Sequence, residues 1–401
     1  MQGPGTPRLK AHSLIDKVYC WNNLYWAWWR VRRNKGAHGL DRVTIRHFEA
    51  DWEKHLREIQ RQLREGRYEP QPVRRVYIPK ASNPKKKRPL GIPVVADRIV
   101  GQALLQVLDP LFDEELSPRS FGYRKGLSTH DAIDALIEDI EEGYRIVIDA
   151  DIASFFDRLN HRVVMDRVRR RLADGRVLNL IYAFLKAGIH ENGVVHVPTE
   201  GTPQGGVISP WLANLVLDDL DKALESRGLR FARYADDFVI LCQTRREAEQ
   251  AMSLVRQVLK ELQLSLNEEK TSLTSATQGF EFLGFLVRRG HVIVRPKAIE
   301  RFKDRVRWLT RRQQGRNVEQ VLQRLNPVLR GWACYFGVAD VTKQFLLLDS
   351  WVRMRIRSFK TKRRCRNDNI RLPNKRLAKW GLLSLNTVRP KPWLSSQVCR
   401  P

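Results

Sequence analysis

The chain has 401 residues, 42% of them hydrophobic, enough to bury a real core and too many for a disordered tail. Its net charge of +28 points to a polyanionic partner, most often nucleic acid, ahead of simple solubility. Five scattered cysteines (Cys20, Cys242, Cys334, Cys365, Cys399) form no C-x-x-C pair, and neither the N-terminal MQGPGTPRLK nor any later run is apolar enough for a signal core or a membrane span; this argues against a zinc site, a disulfide framework and a membrane partner, and a cytoplasmic location is expected.

Residues 1–10 read as a loose tail, followed over 13–33 by an aromatic, basic helical stretch. Its composition fits either a buried helix with a basic rim or an RNA-contacting arm. A Gly-rich loop (34–41) leads to a helix over 44–66, marked by Ile45, Phe48, Trp52, Leu56, Ile59 and Leu63 and closed by Gly66. RRVYIPK (74–80) alternates like a strand, and SNPKKKRP (82–89) makes a basic, Pro-bounded turn. Helices are expected over 94–116, 128–142 and 161–189, a buried strand over 144–152, and a hairpin over 190–199 turning at Asn192-Gly193. Residues 209–228 read as a helix opened by Ser-Pro and closed by Gly228. LRFARYADDFVILC (229–242) reads as two strands with a tight turn at Ala235-Asp236, followed by an amphipathic helix over 245–263 and short strands over 278–294.

Beyond Arg295 only helices are expected, with apolar stripes at Ile299–Leu309, Val318–Trp332 and Phe345–Phe359. This last segment carries 27 Lys/Arg against 6 Asp/Glu, or +21 of the +28. Charge so unevenly placed suggests a dedicated binding region. The sequence divides into a tail and basic helix (1–33), a central domain (34–294), a helical domain (295–365) and a basic C-terminal tail (366–401).

The acids carry the chemistry. Asp151 ends an apolar strand, and Asp236-Asp237 sit between two more. Carboxylates on buried strands are costly unless their charge is compensated, and a divalent metal does this. Three carboxylates from neighbouring strands can hold two Mg²⁺ ions about 4 Å apart, the arrangement for in-line attack on a phosphate. An isolated Asp-Asp is more often turn filler. Here an upstream strand supplies a third acid, and basic and Gln-bearing loops flank both sites.

Tyr234-Ala235-Asp236-Asp237 is the tetrad found in reverse transcriptases. In order, KGAHGLD, YIPK with KKRPLGIP, FGYRKGLSTHDAI, DADIASFFD, TPQGGVISP, RYADDF, LNEEKT and FEFLGF resemble the successive blocks of group II intron reverse transcriptases, from about 34 to 286. Eight blocks in order make the resemblance specific. It implies an α+β, right-hand polymerase with fingers, an antiparallel-sheet palm and a helical thumb. It implies RNA-directed DNA synthesis with two Mg²⁺ ions, dNTPs, an intron RNA template and a DNA primer or target, with binding of the intron RNA to assist splicing and mobility.

Carried over by position, the resemblance puts Asp151, Asp236 and Asp237 on the catalytic and metal-binding positions. Asp149 lies on the same strand face as Asp151, and the D-x-x-x-x-F spacing selects Asp151 as the ligand. Phe156 matches a sugar gate whose ring excludes a 2′-hydroxyl, and Gln204 lies beside the incoming nucleotide. Lys80 and Arg88 match triphosphate-gripping finger residues. Lys270 matches a lysine near the pyrophosphate, a candidate proton donor; an ordinary exposed lysine is the equal alternative. Phe282, Leu283, Gly284 and Phe285 match a primer-grip turn. Residues 325–360 resemble the thumb or maturase domain, where Arg353, Arg355, Arg357 and Lys360 are expected to touch phosphates. No Cys- and His-bearing endonuclease follows, as in the endonuclease-lacking bacterial subgroup, and Ala153-Ser154 replace the usual residues after the first catalytic motif's Ile. Two other readings share these residues: a splicing cofactor with an idle polymerase site, and a host-recruited enzyme of phage defence or CRISPR spacer acquisition.

Overall fold

The computed structural model describes residues 10–79, 87–203, 205–362 and 367–390. They fall into two compact units, Met1–Leu136 with Ile148–Ser272, and Ile137–Val147 with Leu273–Pro401. Lys80 and Gln204, two of the expected nucleotide-binding residues, lie outside the described residues.

In the first unit the aromatic N-terminal stretch forms α1 (Ile15–Tyr19) and α2 (Trp21–Arg33), separated at Cys20, whose ψ of 134° leaves the helical region. Leu24, Ala27, Trp28 and Val31 are buried, at the three-to-four spacing of one helix face. Tyr25 and Trp26 stay 36% and 54% exposed, so the stretch is a core helix with an aromatic outer face. The helix expected over 44–66 is two, α3 (Ile45–Ala50) and α4 (Trp52–Glu65), because Asp51 adopts φ −129°, ψ 39°. β1 (Val73–Pro79) and β2 (Lys87–Ile92) pair antiparallel, and α5 (Val95–Asp113) follows and packs on α2. Next come α6 (Thr129–Glu141), β3 (Ile146–Asp151) and α7 (Phe155–Arg158).

The stretch expected as helical over 161–189 holds two helices, α8 (His161–Arg171) and α9 (Gly175–Lys186). Asp174 explains the break. Its Oδ1 accepts the Arg176 and Val177 amides at the start of α9, and its Oδ2 accepts the Leu14 and Ile15 amides at 2.7 and 2.9 Å, so one carboxylate caps two helix starts. β4 (Ile189–Glu191) and β5 (Val194–His196) form the expected hairpin around Asn192-Gly193 and extend the first sheet to the order β2-β1-β4-β5. α10 (Ser209–Ser226), β6 (Arg230–Tyr234), β7 (Asp237–Cys242) and α11 (Arg245–Glu261) then build the second sheet, in which β6, β7 and β3 lie side by side. Their buried residues, among them Ile148, Ala150, Phe231, Phe238 and Ile240, form the floor under the carboxylates.

Asp97 on α5 ties the segment leading into β1 to the core. It accepts Tyr68 Oη at 2.7 Å and the Gln71 amide at 3.0 Å, just before β1. Burial nevertheless pushes its carboxyl up to about 7. The fold therefore favours the neutral acid, and that contribution is complete below the ordinary carboxylate pKa and lost as pH rises through about 7. We expect Tm to fall between about pH 4 and about pH 7, and Asp97→Asn to flatten that fall in calorimetry. A variant profile as steep as the wild type rules Asp97 out as its source.

In the second unit, β8 (Ser272–Ser275) is followed by a three-stranded antiparallel sheet of β9 (Phe280–Phe282), β10 (Phe285–Arg288) and β11 (His291–Val294) in the order β11-β10-β9. The three expected long helices are present as α12 (Pro296–Leu309), α13 (Val318–Phe336) and α14 (Thr342–Thr361). This unit takes in Leu273–Val294 as well as Ile137–Val147, so its later segment begins before the boundary read near 294, because the short strands pack on the helices. Phe285 stacks on Tyr335 at 5.5 Å and meets Phe336 edge-on at 5.2 Å, while the Asp340 amide donates to Val292 O. The segment 367–390, expected as tail, holds α15 (Asp368–Arg371), α16 (Asn374–Lys379) and α17 (Leu385–Val388). Buried Asp349 on α14 anchors it, accepting Ser384 Oγ at 2.5 Å and the Leu385 amide at 2.8 Å.

Candidate active site

β3 delivers Asp151 to the end of the second sheet. The chain beyond it is pinned by Ser265–Asn267: Ala153 N donates to Ser265 O, Ile152 bridges Leu266, and Asn267 N donates to Asp151 O at 2.8 Å. The Asp151 carboxylate is held on one oxygen, Oδ2, by Lys270 Nζ at 2.7 Å and Asn267 Nδ2 at 3.1 Å. Lys270 is 63% exposed and pairs with an acid of the site itself. Asn267 was not singled out in the sequence, although it lies in the same LNEEKT block as Lys270.

β6 and β7 bring the other two acids. Tyr234 pairs with Asp237 across a two-residue turn in which Ala235 takes φ +62°, the geometry that closes tight hairpins. Burial raises the pKa of Asp236, and the negative charge of Asp151 adds to it, with Lys270 and Arg233 opposing. Asp237 is pushed up to about 6 by burial, then by Asp236, Asp151 and Asp149. Four carboxylates from two adjacent strands therefore feel one another's charge, and no hydrogen bond to the Asp237 carboxylate is found among the described residues.

Hard, anionic oxygens crowded in this way are the donor set a divalent cation takes. In chemical type these donors suit such an ion. The cage is not drawn tight, however: among the described residues no group of three or more His, Cys, Asp or Glu side chains is already arranged around a metal-sized space. Lys270 Nζ meanwhile sits on Asp151 Oδ2.

Phe156 lies on α7, the short helix that follows β3, half-buried, its ring edge-on to Phe155 at 5.2 Å. Its carbonyl accepts the Thr202 amide at 2.8 Å, which lays residues 201–203 against α7. A cavity of about 260 Å³ opens there, lined by Arg75, Gly91, Phe156, Gly201 and Pro203. Gly205 passes so near β2 that a Cβ would lie 2.5 Å from Gly91 O, and its φ of +110° suits glycine alone. Arg88 is exposed on β2. Tyr123, not anticipated from the sequence, joins the site: partial burial and then Asp236 hold its hydroxyl above the ordinary tyrosine range, with Arg88 opposing.

The outer face of α2 forms an aromatic surface in the same unit. Trp26 meets Tyr25 and Trp29 edge-on at 5.6 and 5.9 Å, and Arg33 lies over Trp29 at 4.8 Å. A groove of about 630 Å³ runs past Trp26, Trp29, Arg30, Tyr123, Lys125 and Trp211.

In the second unit Leu283-Gly284 form the turn between β9 and β10, with Phe282 buried and Leu283 O accepting Tyr335 Oη at 2.8 Å. Two of the expected phosphate-binding arginines are committed elsewhere. Arg357 is buried, its Nε donating to Leu372 O and its Nη2 to Asn374 Oδ1, so it holds the C-terminal segment on α14. Arg355 donates to Thr310 Oγ1 at 3.0 Å and to backbone carbonyls at the end of α12. Arg353 is half-buried and Lys360 exposed. A cationic surface the sequence did not single out lies on α12 and α13, where Arg305 and Arg324 approach the Trp308 ring at 4.7 and 5.2 Å.

No helix among the described residues is long and apolar enough to cross a membrane. Residues 78–287 match the family model of the reverse transcriptase (RNA-dependent DNA polymerase), and 299–380 match that of the group II intron, maturase-specific domain. Protein YkfC of Escherichia coli (strain K12) is 36% identical over 298 residues, 64% of this chain and 78% of the relative. The group II intron-encoded protein LtrA of Lactococcus lactis subsp. cremoris is 30% identical over 351 residues, 70% of this chain and 56% of LtrA, so the chain spans about half of that relative's length. A chain of a solved partial Cas6-RT-Cas1–Cas2 complex is 30% identical over 63% of this chain and 42% of that one, with a TM-score of 0.41. With its acids gathered at one sheet end, a turn of the reverse-transcriptase type and both family models matched in order, the chain belongs to the reverse transcriptase family, in the group that carries the group II intron maturase-specific domain.

Proposed function

We propose that the chain is an RNA-directed DNA polymerase that copies an intron RNA from a DNA primer or target, and that it binds the same intron RNA to assist splicing and mobility in the cytoplasm. The observation that carries this is the crowding of Asp149, Asp151, Asp236 and Asp237 at the ends of two adjacent strands. Asp151, Asp236 and Asp237 would hold the two Mg²⁺ ions, with Asp149 adding its negative charge to the group. When bound, such ions would supply activation of a primer 3′-hydroxyl and compensation of the pyrophosphate's charge. Arg88, with Lys80, draws the triphosphate in and offsets its charge. Phe156 and Gln204 border the incoming sugar and base. Lys270, which pairs with Asp151 here, would be free to serve the pyrophosphate as a proton donor once a cation takes that carboxylate. Phe282, Leu283 and Gly284 brace the primer end, and Arg353 and Lys360 contact phosphates.

The test is primer extension by the purified protein on an RNA template, with dNTPs or rNTPs and with or without Mg²⁺. We expect full-length DNA with dNTPs and Mg²⁺, and no product once a chelator removes the metal. Equal extension in chelator overturns the reading.

The aromatic face of α2 suits unpaired nucleotides, since bases stack on rings whatever their sequence and Arg30, Arg33 and Lys125 meet the backbone charge. Trp26→Ala removes an exposed ring with little effect on the core. We expect its affinity for single-stranded RNA, read by fluorescence anisotropy, to fall about tenfold with Tm unchanged. Unaltered affinity excludes this face from RNA binding.

A further inference from the structure

A fully buried charge in the first unit stands two residues before the catalytic turn, and nothing in the reaction just described uses it. Arg233 is 0% exposed. Its Nε and Nη2 form a two-pronged bond with Asp221 of α10, at 2.7 and 2.5 Å, and Asp221 is also fully buried. Nη2 also donates to Ser120 Oγ at 2.7 Å, and Nη1 donates to Asn214 Oδ1 and to Ala235 O, both at 3.0 Å. All five N–H donors of the guanidinium are thus matched by five acceptors.

The last of these acceptors matters most. Ala235 O is the carbonyl of the peptide that leads into Asp236, and Ala235 is the residue held at φ +62°. The second wall of the turn is built by the same network. Asn214 Nδ2 donates to Gly122 O at 2.8 Å, and Gly122 lies so close that a Cβ there would fall 2.4 Å from Ala235 N. The backbone adds a further tie, with Arg233 N donating to Arg119 O and Phe121 N to Arg233 O. The carboxylates of Asp236 and Asp237 therefore project from a turn gripped on its carbonyl side by Arg233 and on its amide side by Gly122.

We propose that Arg233, with Asp221 and Asn214, is the positioning device of the catalytic turn: it fixes the Ala235–Asp236 peptide so that Asp236 and Asp237 keep their place opposite Asp151 when metal and nucleotide arrive. Packing alone could have filled this space with apolar side chains. A fully matched guanidinium instead gives a directional hold at one peptide oxygen, which apolar packing does not. Lysine cannot replace it, because three donors on a flexible stem do not reach five fixed acceptors in one plane. This inference rests on the polymerase reading above.

Arg233 variants risk unfolding, since loss of one partner strands a buried charge. The gentler probe is Asn214→Ala, which leaves the Arg233–Asp221 pair whole and removes the hold on Gly122 O and one acceptor of Nη1. The control is Leu180→Ala, a core truncation on α9 within the same unit, matched to it for loss of Tm. We expect Asn214→Ala to lower kcat for dNTP addition by about 10- to 100-fold and to raise the Mg²⁺ concentration for half-maximal rate, with KM for dNTP and Kd for primer–template within about twofold of wild type. Leu180→Ala should keep wild-type kcat per folded molecule. Arg233→Lys, where it folds, should show the kcat and Mg²⁺ defects in stronger form. An Asn214→Ala protein whose kcat and Mg²⁺ dependence match those of the Leu180→Ala control overturns the proposal, as does full kcat in a folded Arg233→Lys. A wild-type chain that extends no primer sinks the polymerase reading as well, whereas an active wild type with a fully active Asn214→Ala sinks the positioning role alone.

Discussion

Asp236→Ala should abolish DNA synthesis, lowering the extension rate by at least about a thousandfold, while leaving RNA affinity within about twofold of wild type. Phosphoryl transfer asks the protein mainly for positioning and charge stabilisation, so a metal-holding carboxylate has no substitute in the site. The sign of the stability change separates this from a folding defect. Burial and the charge of Asp151 both raise the pKa of Asp236, which means the folded state carries this anion at a cost. Removing it relieves that repulsion, so Tm in metal-free buffer should hold or rise. Asp237→Ala should behave alike, since Asp236, Asp151 and Asp149 all push its carboxyl up. Synthesis at wild-type rate by either variant would refute the assignment. Lost synthesis together with a lowered Tm would show that the acids serve the fold and not the chemistry.

How far the sequence revealed this site depended on how local each feature is. The turn at Ala235-Asp236 was legible because two apolar strands flank it, and β6 and β7 form as expected. The Asn192-Gly193 hairpin was legible for the same reason. Helix interruptions were not, because periodicity runs across a single break. Asp174-Gly175 does carry a stop and an N-cap, but apolar residues on both sides share one rhythm. The role of Arg233 was hidden for another reason. In the sequence it is one of 72 Lys and Arg residues, and only the fold brings Asp221, Asn214 and Ser120 to it. Arg355 and Arg357 show the converse: a run of cations on a helix looked like a phosphate-binding face, and two of them proved to be spent on carbonyls of neighbouring segments. Composition counts charges but does not reveal which of them are already paired.

Phe156→Val should turn a DNA polymerase into one that also accepts ribonucleotides, cutting the ratio of dNTP to rNTP kcat/KM by about 10- to 100-fold, chiefly through faster rNTP use. Discrimination by exclusion needs a wall that does not yield. Phe156 has the means for this: its ring rests edge-on against Phe155, which is itself only 2% exposed, and its carbonyl is fixed by the Thr202 amide. A ring so braced cannot swing aside for a 2′-hydroxyl, whereas valine leaves room for one. Its neighbour supplies the contrast. Phe155→Ala should cost about 3–5 kcal/mol of stability, as the loss of a buried aromatic does, with sugar preference unchanged in whatever folds. Phe156→Val, at a half-buried position lining an open cavity, should cost far less. Steady-state incorporation of a single dNTP or rNTP by the two variants decides between a gate and a plain core residue. An unchanged sugar preference in a folded Phe156→Val protein would place the gate elsewhere along the cavity that Gly91, Gly201 and Pro203 line.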